Sequence, residues 1–273
     1  MYLTDFVYDG VKLSSLGYLV GSATTSNNES SSAGSKLEMQ TVMNHGNHLT
    51  GIVNATYNEA ITVTFDIIKY QCSDSASVNM EDNEIAGFMR WLNRKEWHKF
   101  KPIYNDLSFP NVYFMGTFND ISTIVMGGNV VGLSLTLTTN APWGFLDFDD
   151  NDFTISSANG SFTLYDQSDE LGNKYPEKFV VTTTSGGDLS ITNNLNDKTT
   201  EIKNCVANET ITLDCINKII TSDKNHSHLY NDFNYIYPML TNTTDDCENI
   251  IISTLPCTVH IEYKPIRKVG IIV

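Results

Sequence analysis

Apolar and polar residues alternate with a period of two over Ala60-Ile61-Thr62-Val63-Thr64-Phe65-Asp66-Ile67, and again from Val130 to Leu137, where Val131, Leu133, Leu135 and Leu137 share one face. Such alternation puts one side of a strand on a core and the other in water. Asn111 to Phe118, rich in aromatic and β-branched residues, is a further strand candidate. In the opening stretch FVYDGVKLSSLGYLVG two short apolar runs flank Asp9-Gly10, which predicts a tight β-hairpin. One segment breaks this rhythm. In EIAGFMRWLNRKEWHKFKPIY, from Glu84 to Tyr104, Ile85, Phe88, Met89 and Leu92 recur at the i, i+3, i+4, i+7 spacing of a single buried helical stripe. Asp82 or Asn83 is placed to cap its first turn, and the helix runs into an aromatic and basic segment. The N-terminal half therefore reads as a β-sandwich-like domain carrying one helix.

Pairing stops at Asn140-Ala141-Pro142-Trp143-Gly144, where Pro and Gly mark a boundary. Two domains are expected, residues 1–142 and 143–273. In the second, short β-prone runs recur at 152–155, 161–164, 178–183, 188–192, 201–202, 210–213, 218–221, 249–253 and 258–263. Turns such as Ser185-Gly186-Gly187-Asp188 and Asn193 to Asp197 separate them. Regular short strands without a convincing helix predict a jelly-roll β-sandwich, and no repeat of fixed period favours a solenoid or propeller. From Ser22 to Ser35, SATTSNNESSSAGS has the composition of a mobile loop or of an arm reaching a neighbouring subunit.

Composition narrows the function classes. The chain of 273 residues is 41% hydrophobic and 18% charged, as expected of a globular protein, with a formal net charge of -15. That balance opposes capture of DNA or of an anionic membrane by charge attraction. The N-terminus has neither a basic nor an apolar leader pattern, and no run is long enough to span a bilayer, so synthesis and folding in a cytoplasm are expected, with no membrane insertion. Against this acidic background Arg90, Arg94, Lys95, Lys99 and Lys101 crowd together, and a local basic element on an acidic body reads as a contact surface.

Signals for chemistry are weak. The chain has no GxGxxG, Walker loop, HExxH or GxSxG, each of which ties an enzyme class to a local geometry. Its 5 cysteines, Cys72, Cys205, Cys215, Cys247 and Cys257, form no CxxC and read as buried thiols; their matching ten-residue spacings also permit pairing across strands, while zinc ligation would need unusual spacing. His45, His48, His226 and His228 read as solvated loop histidines. The cluster Asp147, Asp149, Asp150 and Asp152 lacks the EF-hand order of ligands, so a solvated acidic linker is the plainer reading. No metal, cofactor or catalytic residue is assigned. Tyr165, Tyr175, Tyr230, Phe233, Tyr235 and Tyr237 are candidates for stacking on sugars, although most are expected in the core; glycan-binding residues stay unassigned. Paired glycosidase acids depend on a spacing that a sequence does not display.

With these elements placed, the chain resembles the distal tail proteins of phages, the Dit family of siphovirus-type tail components. The resemblance rests on Phe6-Val7-Tyr8-Asp9-Gly10, on Phe88-Met89-Arg90-Trp91-Leu92-Asn93-Arg94 with Trp97-His98-Lys99-Phe100, on the strands reaching Phe118 and Leu137, and on Ala141-Pro142-Trp143. Tyr235-Ile236-Tyr237-Pro238 and Tyr263-Lys264-Pro265 extend it towards the C-terminus. It implies a homo-hexameric ring of N-terminal domains at the virion tail tip, with galectin-like C-terminal sandwiches projecting outward. The implied partners are the tail tube protein, the tail-associated tip protein and, at the periphery, receptor-binding proteins; DNA would be passing cargo only, repelled by an acidic lumen. A contractile or bacteriocin-like particle is open as an alternative to a siphovirus tail. In a ring, Arg90, Trp91, Arg94, Lys95, Trp97, Lys99 and Lys101 are the expected interface, with the two tryptophans as anchors; the alternative is that Trp91 and Trp97 only seal the helix on its own sheet. The competing reading of the whole chain is a carbohydrate-binding adhesion module acting through the C-terminal sandwich.

Overall fold

A computed structural model of the chain describes residues 2–21, 34, 36–46, 49–57, 59–70, 79–105, 111–147 and 152–273. The polar stretch 22–35, except Gly34, lies outside the described residues, as do His48, Cys72, Asp149 and Asp150. The fold is mainly β and divides into two compact units. Met1–Phe145 with Arg267–Val273 form one, and Leu146–Ile266 the other.

In the first unit the strands are β1 (Leu3–Tyr8), β2 (Val11–Lys12), β3 (Tyr18–Val20), β4 (Leu37–Asn44), β5 (Leu49–Tyr57), β6 (Thr62–Lys69), β7 (His98–Tyr104), β8 (Val112–Met126), β9 (Asn129–Thr139) and the short β10 (Gly144–Leu146). A sheet runs in the order β2-β1-β7-β8-β9-β6-β3, with antiparallel neighbours. Asp9 and Gly10, at φ 50° and 79°, make the two-residue turn that joins β1 to β2, as a hairpin requiring two positive-φ residues demands. Alternation in β1, β6, β7 and β8 sends Phe6, Phe65, Phe100 and Phe118 to one side, where their ring centroids lie 5.3 to 6.3 Å apart. These tilted and edge-on contacts form the centre of the core. Backbones also approach closely: a Cβ on Gly132 in β9 would lie 2.3 Å from the Ile67 carbonyl oxygen of β6.

The helix α1 spans Asp82–Leu92. Its cap is Glu81, one residue before the expected Asp82 or Asn83, and the Glu81 amide donates to the Glu84 carboxylate at 2.8 Å. That return contact from the third helical position is what Asp82 and Asn83 cannot receive. The expected stripe is also corrected. Phe88 and Leu92 are buried, but Met89 is 38% exposed, because the inward edge passes through Trp91, whose larger ring stacks on Phe6. In the aromatic and basic segment that follows the helix, His98–Tyr104 form the strand β7, with Phe100, Pro102 and Tyr104 buried.

The second unit is a two-layer sandwich. Its strands are β11 (Asp152–Ile155), β12 (Gly160–Tyr165), β13 (Gly172–Lys174), β14 (Lys178–Thr183), β15 (Gly187–Asn193), β16 (Lys198–Cys205), β17 (Thr210–Asp214), β18 (Ile219–Ser222), β19 (Leu240–Asn242), β20 (Glu248–Ser253), β21 (Cys257–Glu262) and β22 (Ile266–Arg267), with a one-turn helix α2 (Leu229–Asp232). One sheet runs β11-β21-β14-β17-β18 and the other β12-β20-β15-β16. Phe179, Val181, Ile211, Leu213, Val259 and Ile261 of the first face Leu164, Leu189, Ile191, Ile202 and Ile251 of the second in one core, the inward half of each alternating pattern. The aromatic expectation is overturned in part. Phe233 and Tyr237 are buried, whereas Tyr165, Tyr175, Tyr230 and Tyr235 are exposed. Three of these exposed rings lie on or beside turns and the one-turn helix, where no alternating pattern directs a side chain inward.

Candidate functional site

The basic segment is divided by its surroundings. Trp91 is held within its own unit: it stacks on Phe6 at 6.0 Å, meets Tyr8 edge-on at 6.1 Å, and donates from Nε1 to the Tyr8 carbonyl at 3.2 Å. Arg94 lies 5.5 Å from the centre of the Tyr8 ring and pairs with Asp9 at 2.9 Å, while His98 Nδ1 stands 3.5 Å from the other Asp9 oxygen. The Arg94 guanidinium holds the Asp9 carboxyl below its ordinary range. Lys99 reaches over the Tyr113 ring at 4.2 Å, a cation on the negative face of a π system. Lys101 is half-buried in β7 opposite Val7. Arg90, Lys95 and Trp97 point outward, Trp97 with 47% of its surface exposed.

Beside this segment an apolar cleft of about 340 Å³ opens between α1 and the first hairpin, lined by Val11, Leu16, Tyr18, Gly87, Phe88 and Trp91. Glu84 closes one side. Burial works to raise its carboxyl, but the Lys69 ammonium at 2.8 Å and the Glu81 amide outweigh burial and hold it low. Burial in turn pushes the Tyr18 phenol up, and the Glu84 charge adds to the effect.

A second surface went unnoticed in the sequence. Among the described residues, strands β4 and β5 pair only with each other, forming a ribbon whose residues are exposed from Leu37 to Asn44 and from Leu49 to Thr56. Its apolar residues are open to solvent: Met39, Val42, Met43, Ile52 and Val53 are each between 55% and 69% exposed. A register shift between Gln40 and Thr41 leaves Val53 of β5 without a partner in the ladder. The turn signal was legible, since Asn44-His45-Gly46 bends with the Gly46 amide donating to the Asn44 side chain at 2.9 Å.

In the second unit the expectation of solvated histidines fails for His226, whose side chain is 6% exposed and sits between Glu209 and Asp232. His228 is exposed. Cys205, Cys215 and Cys257 are buried free thiols and Cys247 is half-buried. Burial pushes the Cys205 and Cys215 thiols up to about 12. Among the described residues no group of His, Cys, Asp and Glu converges on a metal position, and no helix is long and apolar enough to cross a membrane.

Comparison with known proteins places these features. Residues 1–141 match the family model described as phage tail protein N-terminal domain, and residues 143–263 the one described as phage tail C-terminal domain. No curated protein sequence matches the chain. Among solved structures, the Dit (gp 19.1) protein of phage SPP1, described as a paradigm of hub adsorption apparatus in phages infecting Gram-positive hosts, superposes with a TM-score of 0.65 at 12% identity, over 96% of this chain and 99% of that one. A chain of the phage P2 baseplate in its activated conformation with Ca gives 0.52 at 8% identity, covering 98% of this chain and all of that one. The Sr-activated p2 baseplate gives 0.51 at 10%, with both chains covered in full. The chain belongs to this family of phage tail proteins, as a structural tail component with the fold of a distal tail protein.

Proposed function

We propose that the protein is the hub subunit of the tail tip, assembling as a hexameric ring that joins the tail tube to the tip or baseplate and its host-recognition proteins. The observation that carries the reading is the β4–β5 ribbon. An isolated two-stranded ribbon is marginal in water, and one that exposes Met39, Val42, Met43, Ile52 and Val53 is made to be covered. A neighbouring copy in a closed ring covers it once per subunit, through a heterologous contact between two different surfaces. Residues 1–142 carry the ring contacts in this proposal, and residues 143–273 face outward.

The basic segment supplies the second contact. Arg90, Lys95 and Trp97 face outward beside the cleft and meet an acidic face of the neighbour, which a chain of net charge -15 supplies. Arg94, Lys99 and Trp91 act from behind, as the internal partners that hold α1 and β7 in position. Much of the remaining negative charge lines the channel and keeps passing DNA from adhering. The test is the solution mass by light scattering over a range of concentrations, followed by imaging. A six-fold ring is the expected result; a species that stays monomeric both alone and with the tail tube protein refutes it.

A further inference from the structure

His226 is held between two carboxylates. Its Nδ1 lies 2.8 Å from Glu209 Oε1 and its Nε2 3.1 Å from Asp232 Oδ2. A neutral imidazole has a single N–H, so one of these contacts would set a ring lone pair against a carboxylate oxygen; both attract only when the ring is the doubly protonated cation. The carboxylates are fixed in turn. The Glu209 side chain is 0% exposed; Ser222 Oγ donates to its Oε1 at 2.6 Å and the Val206 amide to its Oε2 at 2.8 Å. Asn204 Nδ2 donates to Asp232 Oδ1 at 3.1 Å. The cluster therefore ties the turn before β17, the end of β18 and the helix α2 to one ring.

What it ties down needs a tie. The helix α2 has 4 residues, too few to persist alone. Its amides at Asn231 and Asp232 donate to the His228 carbonyl, and that of Phe233 to the Leu229 carbonyl. The same segment presents Tyr230 and Tyr235, 61% and 64% exposed. Tyr235 takes the left-handed conformation, φ 60°, with its hydroxyl donating to the Tyr230 carbonyl at 2.8 Å. A bulky side chain at positive φ keeps that shape only when its surroundings impose it.

We propose that Glu209, His226 and Asp232 form a proton-controlled lock that holds residues 223–235, so that the Tyr230 and Tyr235 face is ordered while His226 is protonated and loosens when the proton leaves. Other charges nearby do not replace it. Asp223 and Lys224 pair with each other at the surface at 3.8 Å, His228 lies exposed beside Asp232, Asp188 accepts the Asn204 amide, and the Cys205 thiol is neutral. Burial pulls the His226 pKa down, but its two carboxylate partners outweigh burial and raise it above 6.5. A raised histidine stabilises fully below its unfolded value and loses that contribution as pH rises through the folded one. For Glu209, burial is outweighed by Ser222, the Val206 amide and His226; Asn204 and His226 lower Asp232. Their contribution is lost as pH falls through the folded carboxylate values. The lock is thus closed between the lowered carboxylate values and the raised His226 value, and opens on either side of that window.

The test uses the full chain. Nitrogen-detected NMR of His226 from about pH 5 to about pH 9.5, with amide hydrogen exchange of Asn231, Asp232 and Phe233 corrected for intrinsic rates, reads the proton and the lock together. Expected is a ring that is cationic below its midpoint and titrates above 6.5. Exchange should accelerate progressively as pH rises from about 6.5 to the titration midpoint and level off above it, by about tenfold in all for each unit by which the pKa is raised. H226Q should exchange at the open rate at every pH, and E209Q should lower the His226 midpoint. A midpoint at or below 6.5, exchange that ignores the wild-type titration, or an unchanged pH dependence in H226Q overturns the proposal. Should both variants fail to fold, the wild-type coincidence of titration and exchange decides alone.

Discussion

Replacing Val42, Ile52 and Val53 together by threonine separates assembly from folding. The three side chains are 60%, 63% and 69% exposed, so about two-thirds of each is available to be covered by another subunit. Fully burying a Val or Ile side chain contributes about 1.5–3 kcal/mol, which scales to ~1–2 kcal/mol per residue for the exposed fraction. Exchanging a methyl (Val42, Val53) or an ethyl (Ile52) for a hydroxyl removes much of this while keeping the β-branch that suits a strand. Summed over the three positions the contact weakens by ~3 kcal/mol, about a hundredfold in dissociation constant. Within the subunit the substitutions touch little, so the change in folding stability stays within about 0.5 kcal/mol, or roughly 1–2 °C in Tm. Sedimentation velocity over a concentration series, with a thermal melt on the same samples, reads both quantities. An unchanged assembly constant would refute the ribbon as an interface. A Tm lower by several degrees would show that the ribbon is packed by its own subunit, which equally undoes the argument.

Charge reversal at Lys95 together with Arg90 should weaken assembly and leave the melt unchanged, whereas Arg94→Glu should also disturb the first unit, because Arg94 pairs with Asp9 and lies over Tyr8; sedimentation and melts on the two variants distinguish them. Phe100→Ala removes a ring that meets Phe6, Phe65 and Phe118 and should destabilise the first unit by about 3–5 kcal/mol, read by denaturant unfolding. Native alkylation followed by peptide mass mapping should label Cys247 well before Cys205, Cys215 or Cys257, since burial pushes those three thiols up and, among the described cysteines, only Cys247 is partly open to reagent.

Local pattern and tertiary structure contributed differently to this protein. Period-two alternation located β6 and β9, because a strand buried on one face writes its burial directly into sequence, and short β-prone runs between turn signals located β14 and β21. Asp9-Gly10 located the first turn for an equally local reason, the need for two positive-φ residues. Helix α1 was legible from its spacing, but the choice of Trp91 over Met89 for the core was not, since it depends on Phe6 and Tyr8, which lie more than eighty residues away. The β4–β5 ribbon escaped because neither of its faces is buried within the subunit, so no face-specific pattern is written into it. His226 escaped for the opposite reason. Its neighbours in sequence are exposed and polar, and the carboxylate it meets at Nδ1 is that of Glu209, brought from the other side of a β-hairpin. Sequence alone therefore determined the β class, the turns and the basic segment on an acidic chain; which of those cations face outward and which histidine is buried between two carboxylates were decided by contacts that only the folded chain brings together.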